Sequence, residues 1–577
     1  MSAAELIEFA PESRDGRRPL EVVPRAAASG PAPPQICPTT GGEMHKQPRV
    51  VRIGDRLTPE DVADVAIGHA VVTVQDGARE RLVRARRLVE ETLAAGTLTY
   101  GLNRGLGPLR DSEIPADLIA DFQRYVILSH SAAIGEPLSR IESRAALLAR
   151  LNTLVAGGSG ASPALFDALL ALLQRDVIPV IPDQGSVGAG DLSQLAAVGE
   201  VLLGAGRAWL PGEDRMAPGG EALAAAGLSP LRLAAKDALA LVGSNALSVA
   251  TAALAQRRAS LVAERADLVA ALTLEAVGAN LSPFDATVLA ARPHAGQQIS
   301  GSRIRDVLAG GDLAGGRRGS ASLQDPISLR TVPQVHGALI DHLDELERTL
   351  IVELNCAPDN PFLDLERGVF LSNGNFSITN IAIGFDGLRI ALAHLAGLAE
   401  RRVAILVRGL RQGVPLADQV QAVAAATGYV TPVILTQTAS ALVSRVKHAA
   451  TPISLTGTIV GDGVEDHSSM AYSSIRLTED VLDLVERLLA VEALLAATVI
   501  SAHPHGCGLL GPPVERLRAA IVDVTTRTQA TAEVIDWVVE ALRRERRGDD
   551  LAEMRAPAVP PPVANHDHEI ARHDQLH

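Results

Sequence analysis

The chain has 577 residues, 47% of them hydrophobic, and a formal net charge of −14. A chain of this size buries a large core and is expected to form more than one subdomain. The acidic balance argues against nucleic acid or a membrane surface as a partner. Three widely spaced cysteines argue against a disulfide framework or a metal site and favour a cytoplasmic protein. No apolar run of about 18 residues is free of charges or strong breakers, so we predict no membrane span.

The two ends of the chain differ in composition from the middle. Residues 1–50 are rich in Pro, Ala, Ser and Gly and show no sustained period, which predicts a disordered leader. Residues 555–577 contain a proline run followed by His566, His568, His573 and His577. We predict a disordered tail there, because the prolines preclude a rigid ligand frame; a metal-binding tail is the alternative.

Between these ends the pattern is mostly helical. Aromatic residues make up 2% of the chain, and small and aliphatic side chains favour packed helices over sheets. Thr58-Pro59-Glu60 is a helix start, with a capping hydroxyl, a first-turn proline and an acid near the positive end of the helix dipole. Residues 71–74 predict a short strand. Helices are predicted over residues 78–95, 142–156, 164–174, 232–275, 378–408 and 479–501.

Several of these helices are apolar nearly all round, which predicts that they are buried in a bundle. We therefore predict an all-α fold, with an N-terminal part over 51–230, a central helical bundle over 231–510 and a C-terminal helical layer over 511–554.

A glycine-rich loop stands before one predicted helix. Residues 185–195 read Gly-Ser-Val-Gly-Ala-Gly-Asp-Leu-Ser-Gln-Leu. Such loops also cradle phosphates, but here no lysine follows at the phosphate-loop position. No βαβ unit with a following acid supports a dinucleotide site either. The loop is therefore interpreted together with motifs elsewhere in the chain.

Four other motifs contain residues that suit acid–base chemistry or anion binding. Tyr100 lies among glycines at 101, 105 and 107, so it is either a mobile proton-transfer group or a tyrosine packed at a corner. Arg330 can form a bidentate carboxylate clamp or a structural ion pair. His130 follows Ser129 and can instead be a satisfied core histidine. Glu465 precedes Asp-His and can form a perturbed cluster or a solvated surface.

Taken in order, these motifs resemble the histidine, phenylalanine and tyrosine ammonia-lyase and aminomutase family over about residues 57–510. The resemblance implies an elongated central helical bundle of the aromatic amino-acid lyase (fumarase/aspartase-like) type with a loop-rich N-terminal part. It also implies a small-molecule substrate and a homotetramer with shared active sites. The catalytic residues that it implies are Tyr100, His130 and Glu465. The implied substrate-binding residues are Ser129, Gln324, Arg330, Asn375 and Phe376.

Three positions depart from the family pattern. The family loop contains Ala-Ser-Gly, which cyclises into the electrophilic methylidene-imidazolone, MIO. Here the loop reads Gly188, Ala189, Gly190, Asp191, without that serine. Val242 stands where the family has an asparagine that polarises the cofactor, and Ile327 stands where it has a second tyrosine. Because all three positions serve MIO, we predict that MIO is absent and that the protein has no cofactor.

These observations favour an MIO-independent enzyme that uses Tyr100 as base and Arg330 as carboxylate clamp. Its substrate would be a small carboxylate or amino-acid derivative that undergoes elimination, isomerisation, cyclisation or condensation. General-base catalysis supplies only about 10²–10⁴-fold, too little to eliminate ammonia from an unactivated amino acid. Two alternatives stay open: an MIO-dependent ammonia-lyase or aminomutase of the histidine ammonia-lyase kind, and a non-catalytic ligand-binding or scaffold relative.

Overall fold

The structure is a computed structural model that describes residues 49–320, 322–411, 432–502, 507–525 and 531–544. The predicted tail over 555–577 and nearly all of the predicted leader lie outside the described residues. The first strand begins at Arg49, so the leader predicted over residues 1–50 extends two residues too far. The predicted division into three parts after the leader stays a prediction.

Short strands occur only in the described N-terminal part and in one later hairpin. β1 (Arg49–Ile53) pairs in parallel with β2 (Ala70–Val74), which confirms the strand predicted at 71–74. The other strands form three small antiparallel sheets: β3 (Ile134–Pro137) with β5 (Pro182–Gln184), β4 (Ile178–Pro179) with β6 (Arg207–Trp209) and β7 (Met216–Pro218), and β8 (Phe362–Asp364) with β9 (Val369–Leu371).

The first helix begins where the capping signal predicts it. Thr58 Oγ1 accepts a hydrogen bond from the Asp61 amide, and the Asp61 carboxylate accepts one from the Thr58 amide. This reciprocal capping box satisfies two amides that the helix itself cannot pair. The acid of the box is thus Asp61, three residues after the cap.

The described helices fall into an N-terminal set, a central set and a C-terminal set. The N-terminal set is α1 (Pro59–Ala66), α2 (Ala78–Ala94), α3 (Ile119–His130), α4 (Arg140–Leu154), α5 (Pro163–Gln174), α6 (Leu192–Leu202) and α7 (Gly219–Ala225). The central set is α8 (Asp237–Val242), α9 (Ala246–Val277), α10 (Ala286–Ala290), α11 (Ala295–Leu308), α12 (Ile327–Arg330), α13 (Val332–Leu354), α14 (Thr379–Arg411), α15 (Pro432–Ala449) and α16 (Ala471–Ala502). The C-terminal set is α17 (Pro512–Thr525) and α18 (Thr531–Arg544).

The central set packs as a bundle around α9, which contacts α4, α13 and α16. α14 packs against α13, α15 and α16. The two C-terminal helices, α17 and α18, also pack against α16. Short single-turn 3₁₀ helices lie in the connections at Gly107–Leu109, Ala116–Leu118, Ser282–Phe284, Ser454–Thr456 and Gly461–Gly463. The predicted all-α class is confirmed.

The helix predicted as one piece over 232–275 is two helices. α8 ends at Val242 and α9 begins at Ala246, so Gly243, Ser244 and Asn245 interrupt the helix. The Ser244 carbonyl accepts a hydrogen bond from the Asp191 amide at 2.7 Å. The break therefore leaves the Ser244 carbonyl free of the helix, so that it binds the glycine-rich loop.

Two helical segments, over residues 237–277 and 379–410, are long and apolar enough to cross a membrane by length and composition alone. In the first, 89% of the most apolar window is buried inside the protein, and in the second 50%. A buried core helix passes the same test, and α9 lies at the centre of the bundle.

The bundle also buries charged side chains in matched pairs. Arg402 donates to Glu492 through Nε at 2.6 Å and through Nη2 at 3.0 Å, and Thr273 Oγ1 donates to the same carboxylate at 2.7 Å. All three side chains are buried. A second arginine, Arg389, pairs with Asp386 and donates to Ser474.

Candidate active site

Hydrogen bonds hold the backbone of the glycine-rich loop between two other segments. Gly190 N donates to Asn245 Oδ1 at 2.9 Å, and Ser469 Oγ donates to the Gly188 carbonyl at 3.0 Å. Gly188 has a φ of +82°, and a Cβ there would lie 2.2 Å from Ser469 Oγ. Glycine is therefore required at this position by conformation and by space.

Asp191 anchors the loop to the start of α9. Its carboxylate accepts hydrogen bonds from Ser248 N at 2.8 Å and from Ser248 Oγ at 2.6 Å. Burial raises the pKa of Asp191, and the hydrogen bonds from Ser248 oppose that rise. Ala189 and Gly190 thus lie in a loop whose two ends are both tied to the bundle.

An asparagine does contact this loop, although not at the position predicted from the motif. Val242 is fully buried in the core and faces no loop atom through a polar group. Asn245 accepts from Gly190 and donates through Nδ2 to the Phe376 carbonyl at 2.5 Å. Sequence reasoning missed Asn245; the signal was a Gly-Ser-Asn triplet inside an otherwise apolar helical pattern.

Tyr100 opens a compact hydrogen-bonded turn rather than a loose loop. Its hydroxyl oxygen accepts a hydrogen bond from Gly107 N at 3.0 Å. Asn103 closes the turn, accepting from Thr99 N at 2.7 Å and donating to the Thr97 carbonyl at 3.0 Å. We call residues 100–107 the lid turn.

The lid turn rests directly on α8. A Cβ on Gly101 would lie 2.2 Å from Leu239 Cδ2, and Gly101 has a φ of +67°. Glycine is required here because the lid backbone approaches the α8 side chain so closely. The helix that leads into the Gly-Ser-Asn break thus also supports the backbone next to Tyr100.

Ser129 and His130 lie at the end of α3. His130 Nδ1 is 2.7 Å from the Val126 carbonyl, and Ser129 Oγ donates to the same carbonyl at 3.3 Å. Because a carbonyl only accepts, Nδ1 carries a proton, and Nε2 is the ring nitrogen that is free to contact a ligand. The imidazole is half-buried and therefore accessible to a ligand.

Glu465 is brought near His130 by the fold. Burial raises the pKa of the Glu465 carboxyl, and the charge of His130 lowers it in part. The Gly461–Gly463 turn before Glu465 packs against the Gly107–Leu109 turn at the end of the lid turn. The fold therefore brings the Glu465 carboxyl within electrostatic range of His130, next to the lid turn, without an ion pair between these two described side chains.

Arg330 lies at the end of α12 with its guanidinium free of an acidic partner among the described residues. With its amide oxygen facing the arginine, Gln324 accepts from Arg330 Nη1 at 3.2 Å and from Nη2 at 3.3 Å. Arg330 Nε is buried and has no partner. In the described chain, no hydrogen bond or ion pair joins Arg330 to Tyr100, His130 or Glu465. Ile327, at the start of α12, is 62% exposed.

Asn375 and Phe376 follow the β8–β9 hairpin. Asn375 is exposed, with its amide donating to Asn373 Oδ1 at 2.8 Å, and Phe376 is half-buried beside Asn245. A cavity of about 440 Å³ lies between the hairpin and the lid turn; it is lined in part by Tyr100, Phe370 and Ser372. The hairpin thus connects the glycine-rich loop, through Phe376, with the tyrosine.

No group of three or more His, Cys, Asp or Glu side chains is arranged to hold a metal within the described ranges. The chemistry available to the described site is a phenol, an imidazole, a half-buried carboxyl and an unpaired guanidinium. These groups suit proton transfer on a small substrate that carries a carboxylate.

Comparisons with known proteins identify the family of the chain. The model of the aromatic amino acid lyase family matches residues 57–523. A histidine ammonia-lyase of Anaeromyxobacter sp. (strain K) is 40% identical over 458 residues, which is 78% of this chain and 89% of that protein.

Solved structures show the same likeness. The structure of histidine ammonia-lyase from Trypanosoma cruzi superposes with a TM-score of 0.77 at 31% identity, over 86% of this chain and 93% of that one. An ergothioneine-degrading enzyme, ergothionase from Treponema denticola, superposes with a TM-score of 0.79 at 27% identity, over 86% and 99%. The chain belongs to the aromatic amino acid lyase family.

The comparisons contradict the prediction that the protein has no MIO cofactor. Its curated relatives carry the name of histidine ammonia-lyase, an activity that the family resemblance associates with MIO. The missing serine between Ala189 and Gly190 is a fact of the sequence, but the inference from it to an absent cofactor is wrong as a general conclusion.

Proposed function

We propose that this protein is a histidine ammonia-lyase-like enzyme, which eliminates ammonia from an α-amino acid with a heteroaromatic side chain. The observation that carries the proposal is the 40% identity with a histidine ammonia-lyase over 458 residues. The half-buried His130 and Glu465, both near the lid turn, support a polar substrate side chain or amino group at that place.

Six of the predicted site residues have a part in this proposed reaction. Tyr100 Oη takes or returns the proton at the substrate carbon next to the one that bears the amino group. The Arg330 guanidinium, oriented by Gln324, holds the carboxylate with two parallel N–H groups. His130 Nε2 accepts from a donor on the substrate, Ser129 keeps the imidazole in place, and Glu465 faces the amino group.

The experiment is a direct assay of ammonia release with histidine, phenylalanine and tyrosine, combined with the intact mass of the purified protein. Formation of urocanate at an enzyme-like rate, on the order of 1 s⁻¹ or more, supports the proposal. Absence of ammonia release from all three amino acids contradicts it. A mass two water molecules below that of the sequence would show an MIO-type cyclisation.

A second candidate is a lyase whose substrate already has a better leaving group than ammonia. The supporting observation is the loop 188–191, which has no serine after Ala189 and whose glycine amides are already hydrogen-bonded. The structural likeness to an ergothioneine-degrading enzyme gives a specific compound to test. Turnover of ergothioneine without turnover of histidine would favour this candidate over the first.

We also propose that the active site is completed by other copies of the chain in a homotetramer. Within one described chain no hydrogen bond joins Arg330 to Tyr100, and two apolar side chains near Arg330 are exposed, Leu323 by 95% and Ile327 by 62%. Sedimentation velocity gives the assembly state. Mixing inactive Tyr100→Phe protein with inactive Arg330→Met protein restores part of the activity if the two residues come from different copies, and restores none if each site lies in one chain.

A further inference from the structure

One lysine of this protein lies in an unusual environment. Of the 53 lysine and arginine residues only three are lysines, at positions 46, 236 and 447. Lys236 is fully buried, and its Nζ has no hydrogen-bond partner. Its backbone is left-handed, with a φ of +77°, directly before α8. A buried ammonium without a hydrogen bond is costly, so its presence calls for a physical reason.

The charges around Lys236 are of both signs. Asp359 and Asp237 raise the pKa of the amine and Arg150 lowers it, but burial is the largest effect and brings the pKa to about 8. The Asp237 carboxylate is already occupied by Ser162 N and Oγ at 2.8 Å each. Asp359 Oδ1 accepts from Arg150 at 2.6 Å, but its Oδ2 has no partner. The remaining acceptor capacity around the amine is therefore on Asp359.

The same amine faces the hairpin that lines the cavity. Lys236 Nζ lies 5.9 Å from the centroid of the Phe370 ring, within the range of a cation–π interaction. Phe370 is in β9 and lines the 440 Å³ cavity together with Tyr100. The Asp359 carbonyl accepts from Asn373 Nδ2 at 3.0 Å, at the other end of the hairpin. Lys236 thus interacts with the hairpin at two places, with the Phe370 ring and with the charge of Asp359.

Lys236 also begins the helix on which the lid turn rests. Leu239, three residues later in α8, is the side chain that Gly101 packs against. A lysine at this point connects the two walls of the cavity, the lid turn through α8 and the hairpin through Phe370 and Asp359.

We propose that Lys236 is a positioning residue, whose amine holds the Asp359–Asn373 hairpin in place opposite the lid turn that carries Tyr100. The catalytic part of this proposal rests on the proposed lyase function, whereas the placement of the hairpin does not. A methionine of similar volume would fill the space without a buried charge, so stability alone does not account for the amine.

The test compares Lys236→Met with the exposed control Lys447→Met. Hydrogen–deuterium exchange should become faster in peptides covering 359–373 in Lys236→Met, and stay unchanged in the bundle helices and in the control. With the substrate identified by the assay above, kcat/KM should fall about 10- to 100-fold in Lys236→Met only, as expected for a wall of the site that has moved.

Thermal unfolding separates positioning from a merely structural role. The amine has a folded pKa of about 8, below the ordinary 10.5, so the folded state opposes its charge. The fold of the wild-type protein therefore gains stability as the pH rises from about 8 to 10.5. Lys236→Met should have an equal or higher Tm than the wild type at pH 7, and this advantage should shrink above pH 8. The groups that face the amine in this comparison are Asp359, Asp237 and Arg150.

Two results would overturn the proposal. One is unchanged exchange over 359–373 in Lys236→Met; the other is a lower Tm at pH 7 with activity lost only in proportion to unfolded protein. Phe370→Leu provides a second variant, which keeps the amine but removes the ring and should also speed exchange in the hairpin. If the wild-type protein releases no product from any substrate tested, the lyase proposal fails, and the exchange experiment still decides the placement of the hairpin.

Discussion

Two sets of buried charged side chains, one around Glu492 in the bundle and one around Lys236 beneath the lid turn, differ in how their polar atoms are satisfied. In the bundle, Arg402, Glu492 and Thr273 form a closed set in which both carboxylate oxygens have donors. Beneath the lid turn, Lys236 Nζ, Asp359 Oδ2 and Arg150 Nε have none. A satisfied buried pair fixes helix registration, whereas unsatisfied buried groups are tolerated where function needs them.

The largest expected effect comes from removing Glu492, the shared acceptor of Arg402 and Thr273 in the bundle. Glu492→Ala leaves Arg402 charged and unpaired in the core, so we expect the unfolding free energy to fall by about 3–5 kcal/mol. Urea denaturation followed by circular dichroism measures this loss. The control is Glu400→Ala, because Glu400 pairs with the exposed Arg401, and such a pair contributes only about 0–1 kcal/mol. Equal losses in both variants would remove the distinction between the two kinds of charge.

The site side of the comparison is tested by Tyr100→Phe. This change keeps the ring on the lid turn but removes the hydroxyl that accepts from Gly107. We expect kcat to fall about 100-fold or more with little change in KM, because a proton-transfer group acts in the transition state. Steady-state kinetics with the accepted substrate gives both constants. The exposed Tyr125→Phe is the matched control, and a loss of the same size there would point to a general effect of hydroxyl removal.

Arg330→Met tests a cation that, unlike Arg402, has no acidic partner among the described residues. Methionine keeps much of the side-chain length but removes the two N–H groups that Gln324 orients. We expect substrate binding to weaken by about 1.5–3 kcal/mol, the range of a lost charged hydrogen bond. Isothermal titration with a substrate carboxylate in the Tyr100→Phe background measures binding without turnover. Unchanged binding would assign Arg330 to structure or assembly instead.

The last prediction concerns Glu275, near the C-terminal end of α9. Glu275 is buried and its two carboxylate oxygens accept no hydrogen bond, although Oε2 lies 3.7 Å from Arg318 Nη1. Burial raises the pKa of Glu275 to about 7, and the charge of Arg318 opposes that rise. An acid with a raised folded pKa stabilises the fold below its ordinary pKa and loses this contribution as the pH rises through about 7. The unfolding free energy should therefore fall between pH 5 and pH 8 by at most about 1.4 kcal/mol per pH unit.

Glu275→Gln should flatten that pH dependence, because glutamine does not titrate. Urea midpoints at several pH values between pH 5 and pH 8 measure it, with the exposed Glu345→Gln as the control. A slope that persists in Glu275→Gln would locate the titrating group elsewhere.

The two regions also differ in how well the sequence predicted them. Apolar periodicity and low aromatic content predicted the helical class, and the capping signal at Thr58 predicted the first helix start. These features are local, since a helix needs only its own spacing and caps. The motif order also predicted the family, which the family model and the relatives confirm.

The sequence alone did not predict how the site is connected. The break between α8 and α9, the contact of Asn245 with Gly190, and the support of Gly101 by Leu239 join residues far apart in the chain. Each depends on packing of segments that no local pattern relates. The three departures from the family motif also led to a wrong prediction, the absence of MIO, because they are only three positions in a chain that is otherwise similar to histidine ammonia-lyases.

Lys236 shows the limit most clearly. In the sequence it is one charged residue inside the helix predicted over 232–275, and no local pattern marks it as buried. Only the tertiary structure shows it buried between Asp359 and Phe370, because burial is set by the hairpin that folds over it from more than a hundred residues later. The sequence determined which elements form and which family they build. The tertiary structure decided which charges lose their water and which of those are left without a partner.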